Sequence, residues 1–310
     1  MVQGLSVGGE YTSSIFFLVE RASVGYRGLM GAVICCGTTL GIMLGSGVGA
    51  TIAALMTTET LDRWGWRIPF LLGLVVGVAG FILRRQVTEA SPVERSKRSP
   101  IVETLRDHWQ LVVRLAALSV FNAVSFYAMF VYVASWLQTA DGISPAHALE
   151  INTTSLLVLL PTLLVSGWLS DRFGRKAILM LSTVIAVIVA LPLFWVMYHP
   201  SPALILLGQM GFGLIIGLYS GTQATTMVES TPPQIRCTAV ALGYNACVGV
   251  IGGLTPLVAA WLVGRTADEL APAYLIMVAA AVSFFAAWGI KETYRMPLAG
   301  RVSPISFGHI

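Results

Sequence analysis

Charge is scarce in this chain. Only 11% of its 310 residues are Asp, Glu, Lys or Arg, against roughly 25% in water-soluble domains, so a fold bathed in water on all sides is excluded. Cysteine is sparse too. Cys35, Cys36, Cys237 and Cys247 all fall in apolar stretches, with neither Cys-x-x-Cys spacing nor a Cys/His cluster, so the sequence supports no metal site and no disulfide framework. The four histidines, His108, His147, His199 and His309, lie in connections, at segment ends or in the tail. Gly4-Leu-Ser6-Val-Gly8 matches the letters of a nucleophile elbow, but a strand-to-helix turn and a histidine base are lacking, so no enzyme is expected. No basic face with interleaved aromatics appears, and nucleic acid is not an expected partner. Rings of charge and filter-like loops, the marks of a channel, are missing as well.

Apolar sequence fills the space. The chain is 56% hydrophobic, with a mean hydropathy of +0.78. A bilayer crossing takes about 20 mostly apolar residues. Nine segments qualify: 2–19, 28–57, 67–83, 112–136, 149–169, 177–198, 203–228, 237–264 and 272–290. The first is the weakest, because it carries Glu10 and begins at the chain terminus. Alternating the connections between two sides puts 16 of the 19 Lys and Arg residues on one side, leaving Arg63, Arg67 and Arg265 on the other. By the positive-inside rule the rich side is cytoplasmic, and the C-terminus lies there.

The most informative stretch is Gly167-Trp-Leu-Ser-Asp171-Arg172-Phe-Gly174-Arg175-Lys176, read as a short charged turn between two crossings. Gly167 lets helices approach, Gly174 permits a sharp turn, and Asp171 is placed to pair with Arg175 or a neighbouring helix end. Arg172, Arg175 and Lys176 hold the turn on the cytoplasmic side. This G-x-x-x-D-R-x-G-R-K run resembles the cytoplasmic loop motif of the major facilitator superfamily of secondary transporters. Gln3-Gly-Leu-Ser-Val-Gly-Gly-Glu10-Tyr and Trp64-Gly-Trp66-Arg67-Ile-Pro69-Phe70 resemble, within it, the metabolite:proton symporters, as their fourth helix and the approach to their sixth.

An internal repeat fits the resemblance. Val19-Glu20 followed by Arg27 matches Val228-Glu229 followed by Arg236 at an offset of 209, which also carries Gly4 and Gly8 onto Gly213 and Gly217. Transporters built from two similar halves leave such traces. The same offset puts the partner of the helix near 112 about a hundred residues ahead of Met1. The expectation is therefore an all-α polytopic membrane protein of the major facilitator fold, corresponding to helices 4–12 of a twelve-helix transporter. Residues 1–84 form the rest of the first half, 85–111 a cytoplasmic linker, 112–290 the second half, and 291–310 a cytoplasmic tail. A short amphipathic helix around Ile101–Trp109 is expected on the membrane surface.

The resemblance implies proton-coupled symport of a small organic metabolite by alternating access, in the cell (inner or plasma) membrane. A di- or tricarboxylate is favoured; the alternatives are a proline/betaine-type osmolyte or a non-functional fragment of such a transporter. Organic substrate, protons and the lipid bilayer are the expected partners, the protein is expected to be a monomer, and no cofactor is implied. An ionisable group buried in hydrocarbon is a functional candidate, and Glu10 fits best, on one helical face with Ser6, Ser13 and Phe17. Tyr219 lies one repeat beyond Glu10, near Gln209, Ser220 and Gln223. Asn122, with Ser119, Phe126 and Tyr127, offers a third polar stripe. These are candidates for proton and substrate binding, with plain inter-helix hydrogen bonding as the competing role. Glycines recurring every fourth residue (Gly37, Gly41, Gly45 and Gly49; Gly73 and Gly77; Gly213, Gly217 and Gly221; Gly249 and Gly253) are expected to pack helices closely. Pro161, Pro192 and Pro256 fall inside helices.

Overall fold

The computed structural model describes residues 2–86, 99–140, 143, 145–199 and 201–298. All regular structure among them is helical, as a bilayer requires of a chain that must satisfy its own backbone groups. The helices are α1 (Val2–Arg21), α2 (Arg27–Leu55), α3 (Thr58–Arg63), α4 (Ile68–Gln86), α5 (Pro100–Asp107), α6 (Trp109–Tyr127), α7 (Val133–Ala140), α8 (Pro145–Phe173), α9 (Arg175–Met197), α10 (Pro202–Glu229), α11 (Arg236–Ala246), α12 (Gly253–Thr266) and α13 (Ala271–Trp288). Two π-helical segments, Ala128–Tyr132 and Cys247–Gly252, join α6 to α7 and α11 to α12. Each trio therefore forms one 31-residue span, Trp109–Thr139 and Arg236–Thr266.

Among the described residues, eight spans are long and apolar enough to cross a membrane. α1, at 20 residues, is long enough but is not among them; Gln3, Glu10 and a run of hydroxyl residues make it the most polar of the nine expected crossings. Side chains such as Phe285 (72% exposed), Trp195 (69%) and Val76 (72%) point outward, the arrangement of a protein whose surroundings are hydrocarbon. The linker and tail expectations fall partly on residues 87–98 and 299–310, outside the described residues.

The chain divides into two compact units, Met1–Cys36 with Val93–Ile310, and Gly37–Pro92. In the smaller unit α3 is capped by Thr57, whose Oγ1 accepts the Thr60 N–H at 3.4 Å. A single 3-10 turn, Gly65–Arg67, leads from there into α4. Gly65 is tucked against the Met56 sulfur and Leu61, the Arg67 guanidinium lies 4.2 Å over the Trp66 ring, and Trp66 meets Phe70 edge to face at 6.0 Å. The Trp-Gly-Trp-Arg-Ile-Pro-Phe run thus builds a compact aromatic corner. Within the smaller unit a Cβ at Gly37, Gly41, Gly45, Gly49, Gly73 or Gly77 meets nothing within 4 Å among the described residues of that unit, and the same holds for Gly249 and Gly253 in the larger unit.

In the larger unit α10 runs through the middle, packed on α8, α9 and α6, and buried along most of its length. Lipid removes the hydrophobic drive for helices to associate, so close fit has to do the work. Here the glycine expectation holds. A Cβ on Gly217 would stand 2.8 Å from Thr162, and one on Gly221 would strike the Leu163 carbonyl. Trp136, Phe194 and Phe212 interlock edge to face at 5.7 and 5.3 Å. α5 is the expected amphipathic helix: Ile101, Val102 and Leu105 are exposed, Thr104 is buried, and it rests on α6 and α11. The first π segment was not foreseen. It is held by side chains of other helices, the Gln209 Nε2 donating to the Met129 carbonyl at 3.0 Å and the Asn152 Nδ2 to the Phe130 carbonyl at 3.2 Å. Inserted π turns disrupt the regular backbone ladder and occur often near functional sites.

Candidate functional site

The Gly167–Lys176 stretch is barely a turn at all. α8 continues through Phe173 and α9 starts at Arg175, so Gly174, at φ +102°, is the sole break. That hairpin brings charge to one end of the bundle. The Asp171 carboxylate accepts the backbone N–H groups of Gly28 and Leu29, both at 2.9 Å, and pairs with Arg175 at 2.8 Å. Gly28 and Leu29 open α2, so their N–H groups have no partner within the helix, and a carboxylate there also meets the positive end of the helix dipole. Both alternatives for Asp171, Arg175 and a helix end, are realised together. The approach is close because it joins two glycines: a Cβ on Gly167 would lie 2.6 Å from the Gly28 carbonyl oxygen and 2.7 Å from the Ala32 Cβ.

Arg175 is the hub. It donates to Glu229 through Nε (3.1 Å) and Nη2 (3.3 Å), and to Ser170 Oγ at 2.8 Å. Glu229 also takes Arg27 at 3.4 Å and the Thr293 hydroxyl at 2.8 Å, while Arg27 donates to the Met296 carbonyl at 2.9 Å. The side chains of Arg27, Arg175 and Glu229 are each 1% exposed. A second pair, Arg236 with Glu20, sits beside the first, and Arg236 also donates to the Thr231 carbonyl at 2.9 Å. Burial pushes the Glu20 carboxyl above the usual carboxylate range, with Arg236 pulling against it. Glu292 repeats the Asp171 device at α9, accepting the N–H groups of Arg175 at 2.9 Å and Lys176 at 3.0 Å. Lys176 donates to the Trp288 carbonyl at the end of α13, at 2.6 Å. Arg172 stands apart, exposed and 5.6 Å from the Trp168 ring.

Four of the residues that matter most here, Glu20, Arg27, Glu229 and Arg236, figure in the sequence as marks of the repeat and as helix-end charges. The repeat itself carries the clue. Glu20 and Arg27 recur as Glu229 and Arg236, and the structure crosses them, Arg27 to Glu229 and Arg236 to Glu20. Glu292 has no comparable signal, lying alone beyond the last crossing.

The polar stripes meet farther along the helices. Ser220 Oγ donates to Asn122 Oδ1 at 2.6 Å, and Gln223 Nε2 donates to Ser119 Oγ at 2.9 Å. Tyr219 is fully buried, its hydroxyl donating to the Leu118 carbonyl at 2.6 Å and its ring set edge to face against Phe121. It makes an inter-helix contact, its position on α10 facing α6. Tyr127 is half-buried and lies against Phe126, and its ring would be touched by a Cβ on Gly252. Glu10 is on the exposed side of α1, and the side chain of Ser6 lies outside the described residues. Next to Glu10, the Tyr11 ring stacks on Tyr244 with centroids 4.9 Å apart, and its hydroxyl is 3.5 Å from Cys35 Sγ. The crevice beside this pair, reaching Gln223 and Met227, is too tight to admit water. Among the described residues no group of three His, Cys, Asp or Glu side chains is placed to hold a metal.

Comparison with known proteins agrees with this architecture. The model of the family described as Major Facilitator Superfamily matches residues 1–256 and 115–300. The glycine betaine/proline/ectoine/pipecolic acid transporter OusA of Dickeya dadantii is 33% identical over 97% of this chain and 63% of its own length. The proline/betaine transporter of Salmonella typhimurium is 32% identical with the same coverage. The chain thus spans 63% of the length of these relatives. Among solved structures, the proton:xylose symporter XylE bound to 6-bromo-6-deoxy-D-glucose superposes with a TM-score of 0.73, at 17% identity over 92% of this chain and 68% of that one. The transporter FucP in its outward conformation gives 0.66 at 14% identity, over 89% and 71%. The predicted helices, the hairpin broken only at Gly174 and the family match lead to one conclusion: this chain is a multi-pass membrane protein belonging to the Major Facilitator Superfamily.

Proposed function

We propose that this chain is the nine-helix portion of an inner-membrane symporter that couples proton entry to uptake of a proline- or betaine-type osmolyte. The observation that carries the reading is the 32–33% identity to proline and betaine transporters across 97% of the chain. It favours the osmolyte over the di- or tricarboxylate that the family resemblance alone left in front. The chemistry of the polar cluster supports the same choice. In the larger unit every described Lys and Arg lies within about two turns of a helix end, and a tricarboxylate asks for fixed positive charge deep in the bundle. A zwitterion brings its own, and neutral donors such as Asn122, Ser220 and Gln223 suffice for its single carboxylate.

In this mechanism the charged end is the cytoplasmic latch. Asp171, Arg175, Glu229 and Arg27 clasp the first turn of α2 to α8, α9 and α10, and alternating access releases the clasp to let substrate out. Glu10, a carboxylate within α1, carries the coupled proton. The test is uptake into membrane vesicles of labelled betaine, proline, citrate and α-ketoglutarate, with and without an imposed pH gradient. It is run on the 310-residue chain alone and completed with the part of OusA that the chain does not span. Gradient-driven accumulation of betaine or proline is expected. Accumulation of citrate or α-ketoglutarate in its place would return the carboxylate reading, and an unchanged gradient response in Glu10→Gln removes Glu10 from the proton path.

A further inference from the structure

Tyr11 and Tyr244 occupy a special place. The repeat offset of 209 carries Cys35 onto Tyr244 and Tyr11 onto Ser220, and all four meet. Tyr11 stacks on Tyr244, its hydroxyl reaches Cys35 Sγ at 3.5 Å, and Cys35 Sγ donates to the Ser220 carbonyl at 3.7 Å. The cluster therefore sits where the two repeats face each other. Tyr11 is ten residues from Arg21, and Cys35 and Tyr244 are eight from Arg27 and Arg236. At 1.5 Å per residue that is about 12 to 15 Å in from the charged end, half the thickness of a bilayer core. Repeat interfaces at the midplane are where transporters of this architecture bind substrate.

Both tyrosines are half-buried. They stack at an interplanar angle of 29° with the adjoining crevice closed to water. Around them the partners are neutral: Thr12, Gln223 and Met227 line the crevice, and Ser220 joins the cluster to Asn122. An aromatic face in a desolvated, uncharged setting attracts an organic cation through the ring quadrupole.

We propose that Tyr11 and Tyr244 form the subsite for the ammonium end of the substrate, gripping a quaternary or secondary ammonium group on their ring faces, with Asn122 and Ser220 serving the carboxylate end. This assignment rests on the osmolyte reading above, and the experiment separates the two.

Purified protein is titrated with labelled glycine betaine and with 3,3-dimethylbutanoate, its carbon isostere, which has the same shape and carboxylate but no positive charge. The measured quantity is the ratio of the two affinities, which does not depend on how much of a variant is folded. The wild type is expected to favour betaine by about tenfold or more, the scale of a desolvated cation–π contact. Tyr11→Phe and Tyr244→Phe keep the ring face and should keep the ratio within about threefold. Tyr11→Leu and Tyr244→Leu should bring it towards one. Equal wild-type affinities, or an unchanged ratio in both Leu variants, overturns the aromatic subsite and leaves the osmolyte reading intact. No betaine binding by the wild type overturns both.

Discussion

Replacing Asp171 by alanine removes a contact whose cost the structure lets one work out. The carboxylate accepts two backbone N–H groups at 2.9 Å and one guanidinium nitrogen at 2.8 Å. Arg175 is not orphaned by the change, since Glu229 and Ser170 still hold it. The loss therefore falls on Gly28 and Leu29, two amides without other acceptors. Hydrogen bonds to a charged group contribute about 1.5–3 kcal/mol each. Partial rescue by water and relaxation leaves about 2–4 kcal/mol for the pair, or about a 30- to 1,000-fold loosening of the α2 first turn. Hydrogen exchange read at single amides tests this directly, because protection of Gly28 and Leu29 reports this carboxylate. Their exchange should accelerate by at least thirtyfold in Asp171→Ala, with Asp171→Asn between it and wild type. An unchanged rate at both amides would refute the capping role and the latch built on it.

Three further predictions concern close packing and ion pairing. Gly167→Ala places a methyl 2.6 Å from the Gly28 carbonyl oxygen, and overpacking of that kind costs about 1–3 kcal/mol; Gly37→Ala, with nothing within 4 Å, should leave the thermal midpoint in detergent unchanged or higher. Gly174→Ala forces a side chain into a left-handed backbone and against Glu292, 2.6 Å away, so it should lower the thermal midpoint by the equivalent of about 1–3 kcal/mol or more. Arg236→Ala leaves Glu20 without its buried partner, a loss of about 3–5 kcal/mol by precedent for buried pairs. The double exchange Glu20→Arg with Arg236→Glu should recover part of it in a double-mutant cycle; zero coupling energy there would show that the two side chains act independently.

Much of the fold was legible because crossing a bilayer leaves so few options. Helix positions follow from runs of hydrocarbon, and ends such as Arg27, Arg175 and Glu229 follow from the charge that stops them. What escaped detection has a different physical origin. The π segments at Ala128–Tyr132 and Cys247–Gly252 leave no trace in hydropathy, since an extra residue in the ladder changes hydrogen bonding without changing composition. Gly167, Asp171 and Arg175 were readable as a motif, and a helix end was named for Asp171, but which helix supplies it has no sequence letter, because the α2 N–H groups belong to the backbone. Tyr219 was left between two roles for a simpler reason: a tyrosine that turns its hydroxyl to a carbonyl one helix away looks, in one dimension, like a tyrosine facing a cavity. The glycines of α2 teach the converse, for spacing every fourth residue marks a face able to pack closely and does not say what packs on it.

The crossing of Arg27 with Glu229 and Arg236 with Glu20 gives one chain the grammar of an isologous dimer, in which residue i meets j and j meets i across a two-fold axis. A self-complementary patch needs to arise once; duplication then delivers both of its faces, each already fitted to the other. Opening such a joint breaks both ion pairs together, because the same two stretches of chain carry them. The seven-residue spacing between glutamate and arginine, repeated 209 residues later, is the trace that this joint leaves in the sequence.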